Sequence, residues 1–323
     1  MDQPAPALFY TGLVADLYAP LRSSGAPDPD PYIRFVRHSG EPALELGCGD
    51  GDPLLDLRQR GLDVEGLDAS PDMLARCWAN AAARGLVVTL HESTIEAMEL
   101  PRHYRSIYLA GPTFNLLVDD DTAWRALARI RAHLEPDGSA LIPLFVPEPV
   151  PPQLVGVPRT DVAPDGATIR FSAIGIDRDD EARVQTTHTR YERERDGEVE
   201  RLERDWVIHW HTQDGFRQLS SDAGLLVDDF VGPDGRPVAT DATTFVAVVS
   251  RDPAFDRTAS VRDRLPPAGR ALAAGMLGLD EAIYGEKPKV EIVAEADANG
   301  ADDGDVELDL DDPAASRVTL DGD

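Results

Sequence analysis

The first apolar positions of the chain repeat with a helical period. Large apolar side chains recur every four residues, at Phe9, Leu13, Leu17 and Leu21. This spacing predicts an amphipathic helix, and a second short helix is expected over residues 32–38, after a loop rich in Pro and Asp. We therefore predict a helical cap over residues 1–40.

From residue 43 onward, short apolar blocks alternate with helical stretches, which is typical of a mostly parallel α/β sheet. The expected strands are residues 43–46, 63–67, 86–90, 106–110 and 140–146, and the expected helices are 53–60, 70–84 and 122–134. Ser70 and Pro71 suit the N-cap and the first position of the second of these helices. Pro136, Asp137 and Gly138 predict a turn after the third.

The pattern changes after residue 146. Three alternating stretches, residues 168–177, 183–194 and 199–211, predict an antiparallel β insert at about 165–211. A helix ending at residue 223 and strands at 225–231 and 244–250 then complete a core domain over 41–250. A helical extension is expected over 251–290, and the acidic tail over 291–323 is predicted to be disordered.

Composition and charge narrow the classes of function. The hydrophobic fraction is 42%, and no apolar run approaches the roughly 20 residues that span a bilayer. The N-terminus lacks the pattern of a signal peptide, so we expect a cytoplasmic protein. A formal net charge of -28 repels phosphate backbones and anionic lipids, so neither nucleic acid nor membrane is an expected partner. A small-molecule substrate is expected instead.

The first predicted strand runs into a loop of alternating glycines, Glu45-Leu46-Gly47-Cys48-Gly49-Asp50-Gly51. Glycines between a strand and a helix let a nucleotide-like ligand approach the backbone. The dinucleotide fingerprint needs a further glycine where this chain has Asp52, which argues against an NAD-dependent oxidoreductase. Carboxylates of the loop would also repel a pyrophosphate, but they tolerate a ligand with an ammonium and a sulfonium. Asp68, after the second strand, suits a ribose under either hypothesis.

This loop resembles the cofactor motif of the class I S-adenosylmethionine-dependent methyltransferases. The resemblance continues through Gly66-Leu67-Asp68-Ala69-Ser70-Pro71-Asp72-Met73-Leu74 and Leu134-Glu135-Pro136-Asp137-Gly138-Ser139. It implies a Rossmann-like methyltransferase sheet with an antiparallel last strand, and S-adenosylmethionine as the cofactor.

The family's site residues transfer to matching positions of this chain. By resemblance, Glu45 and the backbone of Gly47, Cys48 and Gly49 would hold the methionine part of the cofactor. Asp68 would bind the ribose, and the residues expected near the adenine are Ala69, Met73, Ser93, Thr94 and Ile95. Thr94 stands where such enzymes often have Asp, which is a departure from the family pattern. Ala110 and Gly111 open the segment expected beneath the transferable methyl group.

Four residues are candidates for the catalytic, substrate-facing side, namely Tyr18, Asn115, His209 and His211. Tyr18 and its neighbour Tyr10 could equally be packed between cap and core. His209 and His211 share one strand face, and they could act as a base or simply add polarity to the sheet. No third ligand accompanies them, so no metal site is predicted. Leu202, Trp206, Ile208 and Trp210 alternate in a way typical of a core-facing or dimer surface.

The combined hypothesis is an enzyme that methylates an amine or hydroxyl of a small metabolite. One alternative is a non-catalytic nucleoside-binding or regulatory protein on the same fold, and a weaker one is the oxidoreductase. A monomer or homodimer is expected.

Overall fold

The computed structural model describes residues 8–22, 27–163, 165–255, 306–307 and 317–318. The strands of its main sheet are β1 (Ala43–Leu46), β2 (Val64–Asp68), β3 (Leu90–Glu92), β4 (Tyr104–Leu109), β5 (Leu134–Phe145), β10 (Leu225–Val231) and β11 (Thr244–Arg251). They lie in the order β10-β11-β5-β4-β1-β2-β3. The strands β1 to β5 pair in parallel, whereas β11 is antiparallel to both of its neighbours. This arrangement confirms the predicted fold class.

Helices cover both faces of the main sheet. They are α2 (Asp30–Ser39), α3 (Leu54–Gln59), α4 (Pro71–Ala83), α5 (Asp120–His133) and α6 (Gln213–Asp222). Side chains of α5 and α6 pack on one face, against Leu44 and Leu46 of β1. Side chains of α2, α3 and α4 pack on the other face, against Ala43 and Tyr108. All four residues of β1 are buried, as expected of a parallel strand that is covered on both sides.

A second sheet is antiparallel and contains β6 (Arg159–Val162), β7 (Thr168–Asp179), β8 (Val184–Arg195) and β9 (Glu198–His209). Asp196 and Gly197 have φ values of 52° and 85°, and they form the tight turn between β8 and β9. The helix α1 (Leu13–Leu21) packs on this sheet. Its Leu17 side chain lies in one apolar cluster with Ile169 and Tyr191.

Several sequence predictions need correction. The third strand begins at Leu90, later than the predicted residue 86, because it pairs with the short end of β2 only. The predicted turn at Pro136 does not interrupt the chain between helix and strand. It lies inside β5 as an irregularity in the pairing with β4. Tyr104 pairs with Leu134, and Ser106 pairs with Ser139. The strand β6 was not predicted.

Two expectations fall mostly beyond the described residues. The predicted helical extension lies outside them except for its first five residues, 251–255, and so does most of the predicted disordered tail. Within a separate unit, Val306–Glu307 pairs antiparallel with Arg317–Val318. In the part of the chain that the structure describes, no helix has both the length and the apolar character needed to cross a membrane.

Candidate active site

A cavity of about 450 Å³ opens where four neighbouring strands of the main sheet end. The segments that follow β1, β2, β3 and β4 all contribute lining residues, and this carboxyl edge is where open α/β sheets bind ligands. Its cofactor-like side is lined by Gly47, Gly49, Asp68, Ala69, Met73, Ser93, Thr94, Ile95, Ala110 and Gly111. The cavity therefore brings together ten of the twelve predicted cofactor residues.

The glycine loop is held against β2 by its own backbone. The N–H groups of Gly47 and Cys48 both donate to the Leu67 carbonyl, at 2.7 and 3.0 Å. Gly47 has φ 70°, and a Cβ at this position would lie 2.8 Å from Cγ2 of Thr113. A side chain would therefore collide with the opposite wall, so only glycine leaves this part of the cavity open.

Asp68 stands at the end of β2 with its carboxylate at the cavity. One oxygen accepts a hydrogen bond from the Gly49 N–H at 2.9 Å, and the other accepts one from the Ser70 N–H at 2.8 Å. Burial raises the pKa of Asp68, and these backbone donors oppose the rise. Ser70 in turn caps α4 by accepting from the Met73 N–H, as predicted.

Glu45 and Cys48 are the two predicted cofactor residues whose side chains do not line the cavity. Strand alternation turns Glu45 to the face of β1 that carries Tyr108, whose hydroxyl donates to its carboxyl group at 2.7 Å. Burial raises the pKa of Glu45 well above its ordinary value, and its second oxygen has no partner. The Cys48 thiol is buried against Gly66. The Glu45 side chain therefore does not reach the cavity as the resemblance implied, whereas the role predicted for the Cys48 backbone does not depend on its thiol.

The segment after β3 supplies the wall next to Asp68. The N–H of Ser93 donates to the Asp68 carbonyl at 3.1 Å, and the Ser93 hydroxyl donates to the Thr94 carbonyl at 3.0 Å. Thr94 begins a short 3₁₀ helix, Ile95–Ala97, and its hydroxyl caps no backbone group there. Of the two hydroxyls that could replace the family's Asp, that of Thr94 is therefore the less engaged.

The opposite side of the cavity is apolar and aromatic. Its lining includes Leu116, Leu117, Val118, Phe145, Trp206 and Ile208. Trp206 and Ile208 come from β9, whose sheet thus closes over the end of the main sheet. The indole N–H of Trp206 is buried and has no hydrogen-bond partner. The sequence pattern identified Trp206 and Ile208 as facing a core or a dimer surface and missed their place in the cavity.

Tyr10 and Tyr18 of the cap both line the cavity. Their rings meet edge to face, 5.3 Å apart between centroids. Burial raises the pKa of both phenols, and the acidic groups nearby raise it further. Both hydroxyls are therefore protonated at neutral pH and can serve as donors. Both rings are packed and also border the cavity. Packing between cap and core and a substrate-facing position are therefore compatible for Tyr18.

Asn115 borders the cavity, but its amide is fully engaged. The amide nitrogen donates to the carbonyls of Phe145 and His209, at 2.9 and 3.0 Å, and the amide oxygen accepts from the Phe145 N–H at 3.2 Å. The side chain is buried. Because both amide N–H groups and the amide oxygen already hold the backbone of β5 and β9, these contacts give Asn115 a structural role in place of the predicted catalytic one.

His209 and His211 lie away from the cavity lining. Trp206 and Ile208 face the cavity, so alternation along β9 turns His209 to its other side, beside Asp120. Burial lowers the pKa of His211 to about 3 and also lowers that of His209. Both rings are therefore neutral, and the predicted role as substrate-facing bases is corrected.

The chain is similar in sequence to known methyltransferases. A sequence profile described as a methyltransferase domain matches residues 43–138, which include the glycine loop and Asp68. The dTDP-3-amino-3,6-dideoxy-alpha-D-glucopyranose N,N-dimethyltransferase of Streptomyces fradiae is 26% identical over 244 residues, which make up 73% of this chain and 92% of that enzyme.

Solved structures are similar in fold at lower identity. The CcbJ methyltransferase of Streptomyces caelestis has a TM-score of 0.62 at 21% identity, and the match covers 76% of this chain and 98% of that one. A sugar N-methyltransferase from Streptoalloteichus has a TM-score of 0.57 at 22% identity, with 75% and 94% covered. These structures support the fold, and the profile match and the relative from Streptomyces fradiae favour a methyltransferase over the oxidoreductase alternative.

Proposed function

We propose that this chain, a class I S-adenosylmethionine-dependent methyltransferase, methylates an amino group of a small, ring-shaped metabolite. The observation that carries the proposal is the chemistry of the cavity wall opposite the glycine loop. This wall is apolar, and it offers hydrogen-bond donors but no group suited to remove a proton.

The cofactor side fits S-adenosylmethionine. Gly47 lies so close to Thr113 that a Cβ does not fit, which leaves the Gly47 backbone exposed to a ligand, and Asp68 offers two oxygens to a ribose diol. Bound S-adenosylmethionine would supply an activated methyl group on a sulfonium. The backbone of Gly47 and Gly49 would hold its methionine part, and Ser93 to Ile95 would border its adenine.

An amine is favoured over a hydroxyl by the lack of a general base. The described residues that line the cavity include no histidine, lysine or cysteine. The carboxylates there, Asp68 and Glu96, follow β2 and β3 and so belong to the cofactor side. A neutral amine presents its lone pair without prior deprotonation, whereas a hydroxyl of high pKa needs a base nearby. Tyr10 and Tyr18, with raised pKa values, do not meet that need.

The shape and polarity of the acceptor side favour a ring. Trp206 offers an aromatic face together with an unpartnered N–H donor, and Phe145 and Ile208 add apolar surface. A sugar or similar ring has apolar C–H faces and oxygen acceptors that suit this combination. The relative from Streptomyces fradiae is named for methylating an amino sugar nucleotide, which supports amino sugars as the first class to test.

The test is methyl transfer to matched acceptor pairs. A 3-amino-3,6-dideoxyhexose nucleotide and its 3-hydroxy counterpart would be incubated with S-adenosylmethionine, and the demethylated cofactor and methylated product would be followed by mass spectrometry. We expect turnover of the amine alone. Turnover of the hydroxyl partner alone would contradict the proposal. Calorimetry with S-adenosylhomocysteine, run in parallel, verifies that the cofactor side of the protein is intact.

A further inference from the structure

Three potential metal ligands meet on the side of β9 that faces away from the cavity. Asp120 is the first residue of α5, His209 is the last of β9, and His211 lies two residues before the start of α6. One ligand atom from each side chain lies within 4.8 Å of the other two. The sequence offered the two histidines without a third ligand, and the fold supplies it from a position about 90 residues earlier in the chain.

The two imidazoles are buried and have unused nitrogens. The histidine side chains are 2% and 1% exposed. Nδ1 of His209 and both ring nitrogens of His211 have no hydrogen-bond partner, whereas His209 also forms a hydrogen bond with the Leu117 backbone. Buried polar atoms are nearly always paired in native proteins, so three such nitrogens in one cluster call for a ligand. Each neutral imidazole offers one nitrogen lone pair, which is what a divalent transition metal requires.

The Asp120 carboxylate divides its two oxygens between the histidines and Arg183. Its Oδ1 lies 3.5 Å from Nε2 of His209 and 3.8 Å from Nδ1 of His211. Its Oδ2 accepts a hydrogen bond from the Arg183 guanidinium. An outer partner of this kind orients a ligating carboxylate. The Arg183 guanidinium also lies near both imidazoles, and Asp119, which adjoins Asp120 and caps α5, adds a second carboxylate near His209.

We propose that Asp120, His209 and His211 bind a zinc ion. Two imidazole nitrogens and one carboxylate oxygen form a donor set that zinc commonly takes, with water as the fourth ligand. Ligands at zinc lie about 3.3–3.5 Å from one another, as bonds of about 2.0–2.2 Å require. The separation of Asp120 Oδ1 from Nε2 of His209, 3.5 Å, lies within this range, and that from Nδ1 of His211, 3.8 Å, exceeds it by about 0.3 Å, so a side-chain rotation would complete the ligand geometry. The Asp120 side chain is 56% exposed, so the ion and the water have an approach from solvent.

The site adjoins the acceptor wall of the cavity. Asn115 donates to the His209 carbonyl, and Val118 and Thr122, on either side of Asp120 in the chain, both line the cavity. A bound ion would therefore fasten β9, with Trp206 and Ile208, to the wall that precedes α5. Its role would be structural, and its loss should raise the acceptor KM more than it weakens cofactor binding.

The experiment measures zinc and cobalt binding by the full chain. Protein stripped with a chelator would be titrated with Zn²⁺ and dialysed, and its metal content measured, in excess Mg²⁺ to occupy exposed carboxylates. We expect one zinc per chain, and with Co²⁺ the visible absorption bands of a low-coordinate site. The variants are Asp120→Asn and His209→Gln. The matched control is His188→Gln, which removes a histidine that contacts Asp177 and Asp205 on the same sheet.

Zinc affinity should fall at least about 10- to 100-fold in Asp120→Asn and His209→Gln, and the control should bind as the unmodified chain does. Circular dichroism identifies any variant that fails to fold. If the buried substitution His209→Gln prevents folding, Asp120→Asn still tests the site, because its carboxylate is exposed. Absence of stoichiometric zinc in the unmodified chain would overturn the proposal. Equal affinity in folded Asp120→Asn and in the control would also overturn it. Neither result bears on the proposed methyl transfer, which is measured separately.

Discussion

The carboxylate of Asp68 accepts a hydrogen bond from the backbone N–H of Gly49 at 2.9 Å. This contact ties the end of β2 to the glycine loop that follows β1. The other Asp68 oxygen accepts from the Ser70 N–H, so both oxygens are held before a ligand enters. A fixed carboxylate loses little freedom on binding, which favours affinity for a ribose diol.

Replacing Asp68 with Ala should weaken the binding of S-adenosylhomocysteine about 10- to 100-fold, because hydrogen bonds to a charged group contribute about 1.5–3 kcal/mol. Isothermal calorimetry measures the change. Asp228→Ala is the control, since Asp228 contacts Ser250 within the β10–β11 edge of the sheet. A folded Asp68→Ala variant with unchanged affinity would refute the ribose role.

Replacing Trp206 with Phe should raise the acceptor KM about 3- to 10-fold, because it keeps an aromatic ring but removes a donor worth about 0.5–1.5 kcal/mol. Cofactor affinity should not change, since Trp206 lies on the acceptor side of the cavity. Steady-state kinetics with the accepted amine separates the two effects. Trp78→Phe is the matched control, because Trp78 is 52% exposed on α4. An unchanged acceptor KM in the Trp206 variant would be evidence against the donor role.

The cofactor half of the site was predictable because neighbouring segments of the chain build it. Gly47 directly follows β1 and Asp68 is the last residue of β2, and parallel strands end at one edge of the sheet. Strand alternation also predicts the orientation of the Glu45 side chain, because Glu45 and Ala43 point to one face of β1 and Leu44 points to the other. The family resemblance led to a different expectation for its side chain.

The acceptor half depends on tertiary packing that local pattern does not contain. Alternation along β9 correctly separates His209 from Trp206 and Ile208. Which of the two faces meets the cavity depends on how the second sheet docks on the first. The meeting of Asp120 with the histidines depends on the same docking. Both features therefore lie beyond what periodicity and spacing can predict.

Replacing Asn115 with Ala should destabilise the protein by about 1–3 kcal/mol, because buried backbone groups of Phe145 and His209 lose their partners. Urea unfolding measures the loss. Asn80→Ala is the control: its amide donates one hydrogen bond, to the Asp50 carbonyl, from an exposed position. A loss no larger than that of the control would contradict the role of Asn115 in joining β5 to β9.

His188 should make the stability of the second sheet depend on pH. Its ring nitrogens lie 2.8 Å from Asp177 and 2.6 Å from Asp205, and these hydrogen bonds raise the pKa of the imidazole. A pKa raised by folding contributes stability that is fully present below the ordinary histidine pKa of about 6.5. That stability is lost as the pH rises through the raised value.

The free energy of unfolding should therefore differ most between the unmodified chain and His188→Gln at acidic pH, near pH 6, and the difference should shrink in alkaline solution. We expect this difference in the free energy of unfolding to stay below about 1 kcal/mol at its maximum, because the imidazole is partly exposed and salt screens its ion pairs. Urea titrations across this pH range measure it, with His38→Gln, on the exposed side of α2, as the matched control. A difference that grows as the pH rises would have the wrong sign, and it would mean that His188 is held in its neutral form.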